Sequence, residues 1–155
     1  MRLITFIFLL IAPSLTWATI YDKNAKLSNL GEINIAIIDS AFGGCWTNIS
    51  EVRSYAVGKL EVAGATVSDD RSNTAQWIFE KKATFTINVN ATRKLGVCIG
   101  KVSIYVNAGI TAETVGFYGI MRFSTFGKLI GAEENLNVNI LDTVGLAIRE
   151  WEEQR

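Results

Sequence analysis

The pattern that most restricts the fold is a set of alternating stretches in the second half of the chain. Residues 84–90 place Phe85, Ile87 and Val89 on one side and Thr86, Asn88 and Asn90 on the other. That period of two is what a half-buried strand requires. Residues 97–107 repeat it, with Val102, Ile104 and Val106 against Lys101, Ser103, Tyr105 and Asn107. Residues 115–124 form a third such stretch, with Val115, Phe117, Met121 and Phe123 on a common face. One polar face on each strand calls for an antiparallel sheet packed on one side only.

Two segments supply the cover for the apolar side. Asn48 is placed to cap a helix, and Glu51 three residues later completes a variant of the capping box. From there Ile49, Val52, Ala56, Leu60 and Ala63 recur at spacings of three and four until Gly64 ends the helix. Near the C-terminus Ile140, Leu141, Val144, Ile148 and Trp151 make a second apolar stripe, with Arg149, Glu150, Glu152 and Glu153 outside it. Residues 32–39 read as a further strand, in which Ile33, Ile35 and Ile37 alternate, and 40–44 as a turn. Residues 65–67 suit a short strand and 68–73 a solvated turn. The order strand, helix, several strands, helix predicts an α+β two-layer sandwich: a mostly antiparallel sheet with both amphipathic helices on one face.

The first eighteen residues, MRLITFIFLLIAPSLTWA, stand apart from this plan and read as an export signal. Arg2 supplies the positive region, residues 3–12 the apolar run, and Thr16-Trp17-Ala18 a small-x-small cleavage site. A retained membrane anchor is the alternative, but a spanning helix wants about 20 apolar residues. This run is shorter and is broken by Pro13. No cysteine stands immediately after the cleavage site, which argues against a lipid anchor there. The folded unit expected is a single domain over residues 19–155, exported to the periplasm or the extracellular space, with no stable membrane insertion after cleavage. Residues 19–31 read as an extended entry segment.

Composition then excludes several chemistries. Residues 19–155 carry 14 basic and 15 acidic side chains, a balance that leaves no electrostatic footprint for nucleic acid. The chain contains no histidine. Ser-His-Asp and Cys-His nucleophile systems, histidine zinc sites and histidine pH switches therefore cannot be built. No cofactor motif is present and no cofactor is expected. No signature sets an oligomeric state.

Cys45 and Cys98 are the only cysteines. In an exported chain they are expected to pair, closing a loop of 54 residues for about 4 kcal/mol in the chain-entropy model. Two buried free cysteines packed as small hydrophobes are the competing reading.

Candidate sites are few. Asp39 at a strand end, followed by Gly43-Gly44 and a helix start, offers backbone N–H groups to an anion or a carboxylate to a cation; the same residues suit a plain tight turn. Asp69, Asp70, Glu80, Glu113, Glu133, Glu134 and Asp142 are the carboxylates from which a His-free polysaccharide hydrolase would draw an acid and a nucleophile or base. Trp46, Trp77, Phe117 and Phe126 read as core or rim. Tyr105 and Tyr118 fall on polar strand faces, where an exposed aromatic patch would suit a partner. Asn48-Ile-Ser50 and Asn90-Ala-Thr92 match the N-glycosylation pattern. The function expected is that of a small exported, non-enzymatic protein that binds a protein partner or a small ligand in the cell envelope. The hydrolase, or an inhibitor of such an enzyme, is the alternative.

Overall fold

The computed structural model describes residues 30–68, 82–112 and 117–153, with the backbone alone at 109–112 and 117–124. The export signal, nearly all of the 19–31 entry segment and the 69–73 part of the expected turn lie outside the described residues. In chain order the elements are β1 (Glu32–Ala41), α1 (Ile49–Val62), β2 (Thr66–Ser68), β3 (Ala83–Lys94), β4 (Val97–Ala112), β5 (Phe117–Ala132) and α2 (Asn137–Glu153). The strands form one sheet ordered β2-β1-β3-β4-β5, with both helices on one face. This is the expected α+β sandwich.

Most of the paired residues are antiparallel, as expected, because β3, β4 and β5 form an antiparallel meander. β1 runs parallel to both β2 and β3, which makes the sheet mixed. α1 accounts for the β1–β2 pair: a strand that returns through a helix lies parallel to the one it left.

Under the helices the core is continuous. Ile33, Ile35, Phe85, Ile87, Val89, Val102, Ile104 and Val106 come from the sheet and meet Val52, Ala56 and Leu60 of α1 and Ile140, Val144, Ile148 and Trp151 of α2. Each large side chain so buried contributes about 1.5–3 kcal/mol. The helices also touch each other closely. A Cβ on Gly145 would stand 2.7 Å from the Tyr55 hydroxyl, so glycine is what lets that ring lie against α2.

At its start α1 departs from the capping expectation. Asn48 makes no side-chain cap hydrogen bond. Its Oδ1 instead accepts from the Trp46 indole N–H at 3.1 Å, and its Nδ2 donates to Glu51 Oε2 at 2.8 Å. The buried indole N–H needs an acceptor and takes the one the helix would have used.

β5 continues eight residues beyond its expected end at Ser124, to Ala132. The ladder shifts register between Val106 and Asn107, a bulge that restarts the pairing. Past the bulge, Gly127, Gly131 and the adjacent Leu129 and Ile130 hide any alternation, although Ile130 is buried and Leu129 is 80% exposed.

The hairpin between β3 and β4 is a two-residue turn, Leu95-Gly96, with φ of 51° and 84° between the paired Lys94 and Val97. Such a turn needs left-handed backbone at both positions, for which asparagine is the favoured first residue. Leu95 is fully exposed there, so its side chain offsets none of the left-handed penalty of about 1–2 kcal/mol. Leu95→Asn is expected to raise stability by about 1 kcal/mol in chemical denaturation; an unchanged or lower midpoint would contradict this account of the turn.

Candidate functional site

The Gly43-Gly44 turn sits at the end of the sheet where both helices begin. Its glycines have φ of 69° and 70°, and a Cβ on Gly43 would stand 2.9 Å from the Arg93 Cβ. Arg93 explains that closeness. Its Nε donates to the Gly43 carbonyl at 2.9 Å, and its Nη1 to the carbonyls of Gly96 at 2.8 Å and Glu133 at 3.1 Å. Its Nη2 donates to the carbonyl of Glu134. One guanidinium thus joins the β1–α1 connection, the β3–β4 hairpin and the β5–α2 connection.

Further ties converge on the same place. Cys45 and Cys98 form a disulfide with both residues fully buried. The Leu136 N–H donates to the Cys45 carbonyl at 2.8 Å. Asn137 accepts from the Thr47 N–H at 3.0 Å and donates to its hydroxyl at 2.9 Å. Gly43 and Gly44 are held by this lattice as a turn.

Asp39 lies on β1, exposed, at the mouth of a cleft of about 390 Å³ lined by Ile37, Asp39, Ile49, Ser50 and Arg53. The strand-end acid and the helix start are therefore brought together as neighbours. Asp39 Oδ1 accepts from the Ala41 N–H at 2.9 Å, and Arg53 Nη2 donates to the Ile35 carbonyl at 2.8 Å. One carboxylate and one guanidinium share a cleft with half-buried isoleucine walls.

The face away from the helices divides into two unlike ends. Toward the start of β1, Asn34, Thr84 and Thr86 are polar yet buried, Thr84 to 2% exposure. Across the sheet Thr84 stands between Asn34 and Asn107, and Thr86 between Ala36 and Tyr105; Lys82 and Glu32 form an ion pair at 3.0 Å at the same end. This face was expected to be open along its whole length, and here it is not. Among the described residues Thr84 Oγ1 has no hydrogen-bond partner. Toward the other end Ile38, Ile99 and Leu129 are exposed, with Phe42 exposed just past β1. They flank a polar strip that includes the exposed Asn90, Thr92 and Lys101.

Tyr105 is half-buried on β4, opposite Thr86 and Thr125. Tyr118 stands on β5 opposite Thr111, roughly 20 Å further along β4 at about 3.4 Å per residue. The two tyrosines do not adjoin. Of the carboxylates, Glu133, Glu134 and Asp142 are exposed, and Asp39 alone lines the cleft among the described residues. Asp69, Asp70, Glu80, Trp77 and Glu113 lie outside the described residues, as do the side chains of Phe117 and Tyr118. Trp46 is buried in the core and Phe126 packs half-buried against it. Among the described residues no group of three His, Cys, Asp or Glu side chains is placed to hold a metal, and no helix is long and apolar enough to cross a membrane.

No model of a known protein family and no curated protein matches the chain. Among solved structures it is similar to the PelC dodecamer of Paraburkholderia phytofirmans, at 9% identity over 79% of this chain and 87% of that one, with a TM-score of 0.47. A variant PelC dodecamer from the same organism gives 12% identity over 79% and 88%, with a TM-score of 0.46. Lipoprotein GNA1162 of Neisseria meningitidis gives 13% identity over 81% and 99%, with a TM-score of 0.40.

Proposed function

We propose that this chain is an exported, non-enzymatic protein of the cell envelope or extracellular space. It binds a protein partner through the end of the sheet face that carries Ile38, Phe42, Ile99 and Leu129. The observation behind this reading is an inversion along one face: polar side chains are buried at one end and large apolar ones exposed at the other. A sheet face built only to meet water would have the reverse distribution, and exposed apolar side chains grouped on one surface mark an interaction site. Tyr105 stands opposite Thr125, four residues along β5 from Leu129, and Tyr118 lies a further seven residues toward the opposite end of that strand. Export is supported by the signal-like first eighteen residues and by the disulfide, which persists in oxidising compartments.

A photo-crosslinking residue placed at Leu129 in living cells tests the proposal. A discrete protein adduct is expected, absent when the crosslinker stands instead at the exposed Glu150 of α2, and lost when Ile99→Asp is added. Equal adducts at both positions, or none at Leu129, would contradict it.

A further inference from the structure

Beyond Asn34 the outer edge of β1 has no strand partner among the described residues, because β2 pairs only with Glu32, Ile33 and Asn34. Three contacts show which backbone groups face that edge. The Ile35 carbonyl accepts from Arg53, and the Ala41 N–H donates to the Asp39 side chain. The Phe42 N–H, by contrast, donates inward to the Ala91 carbonyl of β3. Backbone groups of successive strand residues point to alternate edges, so in β1 the even-numbered residues face β3 and the odd-numbered face outward. Ile37 and Asp39 therefore present their N–H and C=O groups to the outer edge, between two neighbours whose groups are already occupied.

This edge runs along the cleft lined by Ile37, Asp39, Ile49, Ser50 and Arg53. Arg53 marks one end at the level of Ile35, and Asp39 marks the other, about 13 Å away at roughly 3.3 Å per residue. Ile37 and Ile49 lie between them. Exposed strand edges are ordinarily blunted by charges, bulges or covering segments. Here the charges stand only at the two ends, Arg53 and Asp39, and Ile37 between them is half-buried.

We propose that this edge accepts an extended peptide by strand addition. The peptide carries an acidic side chain opposite Arg53, an apolar one over Ile37 and Ile49, and a basic one beside Asp39, at alternate positions. Backbone hydrogen bonds to Ile37 and Asp39 set its register, and the period of two sends every second side chain into the cleft. The charge at each end of the cleft matches the opposite charge on the peptide. This site lies on the helix side of the sheet and does not depend on the sheet-face surface proposed above.

The test uses threonine-rich heptapeptides, blocked at both ends, with glutamate, valine and lysine at alternate positions, made in both chain directions. Titrated at millimolar concentration into the isotope-labelled protein, a peptide of one direction is expected to shift the Ile37 and Asp39 amides and slow their hydrogen exchange. Replacing its valine by proline is expected to abolish the effect. Arg53→Gln in the protein, or glutamine for glutamate in the peptide, is expected to weaken binding about tenfold, the loss of one charge-assisted hydrogen bond. The peptide variant keeps the test independent of any effect of Arg53→Gln on folding. The proposal is overturned if neither direction shifts those amides, or if the proline peptide binds as well. It is equally overturned if Ile37 and Asp39 are as protected in the free protein as Ala36 and Ile38, since the edge is then already covered by this chain or by a second copy.

Discussion

Replacing Cys45 and Cys98 together by alanine is expected to lower the unfolding free energy by about 4 kcal/mol and the melting temperature by on the order of 10–15 °C. The bond links residues 53 apart in sequence, and most of its effect comes from the conformations it removes from the unfolded chain. Packing losses at two fully buried side chains add to this, while the Cys45 carbonyl that receives the Leu136 N–H remains in alanine. Reduction of the native protein keeps both side chains, so the difference between its loss and that of the double-alanine variant separates the covalent link from the packing. Thermal unfolding of oxidised, reduced and double-alanine protein checks the expectation. A loss below about 1 kcal/mol in all cases would mean that the unfolded chain is already held near this geometry.

Arg93→Ala is expected to be the most damaging substitution of an exposed residue, costing about 2 kcal/mol. It leaves the carbonyls of Gly43, Gly96, Glu133 and Glu134 without their shared donor. Water replaces part of what is lost because the site is exposed, which keeps the cost below that of a buried charge. Arg93→Lys should recover less than half, because an ammonium is a compact donor and cannot span carbonyls from three segments as the planar guanidinium does. Denaturant titration of both variants gives the answer, and a lysine variant as stable as the parent would refute the role of the fork. Disulfide and guanidinium tie together the same three connections. Their removal in combination should therefore be non-additive.

The parts legible in the sequence are those where burial is one-sided. Phe85, Ile87 and Val89 alternate with polar residues because only one row of β3 lies under the helices, and the stripes Val52, Ala56, Leu60 and Ile140, Val144, Ile148 are the complementary faces. The parallel placement of β1 was not legible, since Ile33, Ile35 and Ile37 look the same whichever way the neighbour runs. The far half of β5 was hidden because its pairing with β4 is carried by the backbone, through glycines that leave no side-chain pattern. Asn48 carried a capping signal that the Trp46 indole overrode.

At the candidate sites the division is similar. Asp39 next to a helix start was readable from local order, and the structure places it in a cleft with Ile49 and Ser50. Arg53, which completes that cleft, looks in sequence like any polar residue on an amphipathic helix. Arg93 reads as a solvated side chain at a strand end, because its carbonyl partners lie as far as 50 residues away. The inversion on the sheet face was invisible for a different reason. Thr84 and Thr86 have the composition of an exposed row and are buried, while Leu129 has the composition of a core residue and is exposed.

Export to an oxidising compartment is the premise on which the proposed function stands, and the intact mass of the protein recovered from fractionated cells tests it most directly. The predicted result is a species in the envelope or extracellular fraction that begins at Thr19, with a mass lower by the two hydrogens lost in forming the Cys45–Cys98 bond. A cytoplasmic species that still begins at Met1, with both thiols free to alkylation, would contradict it.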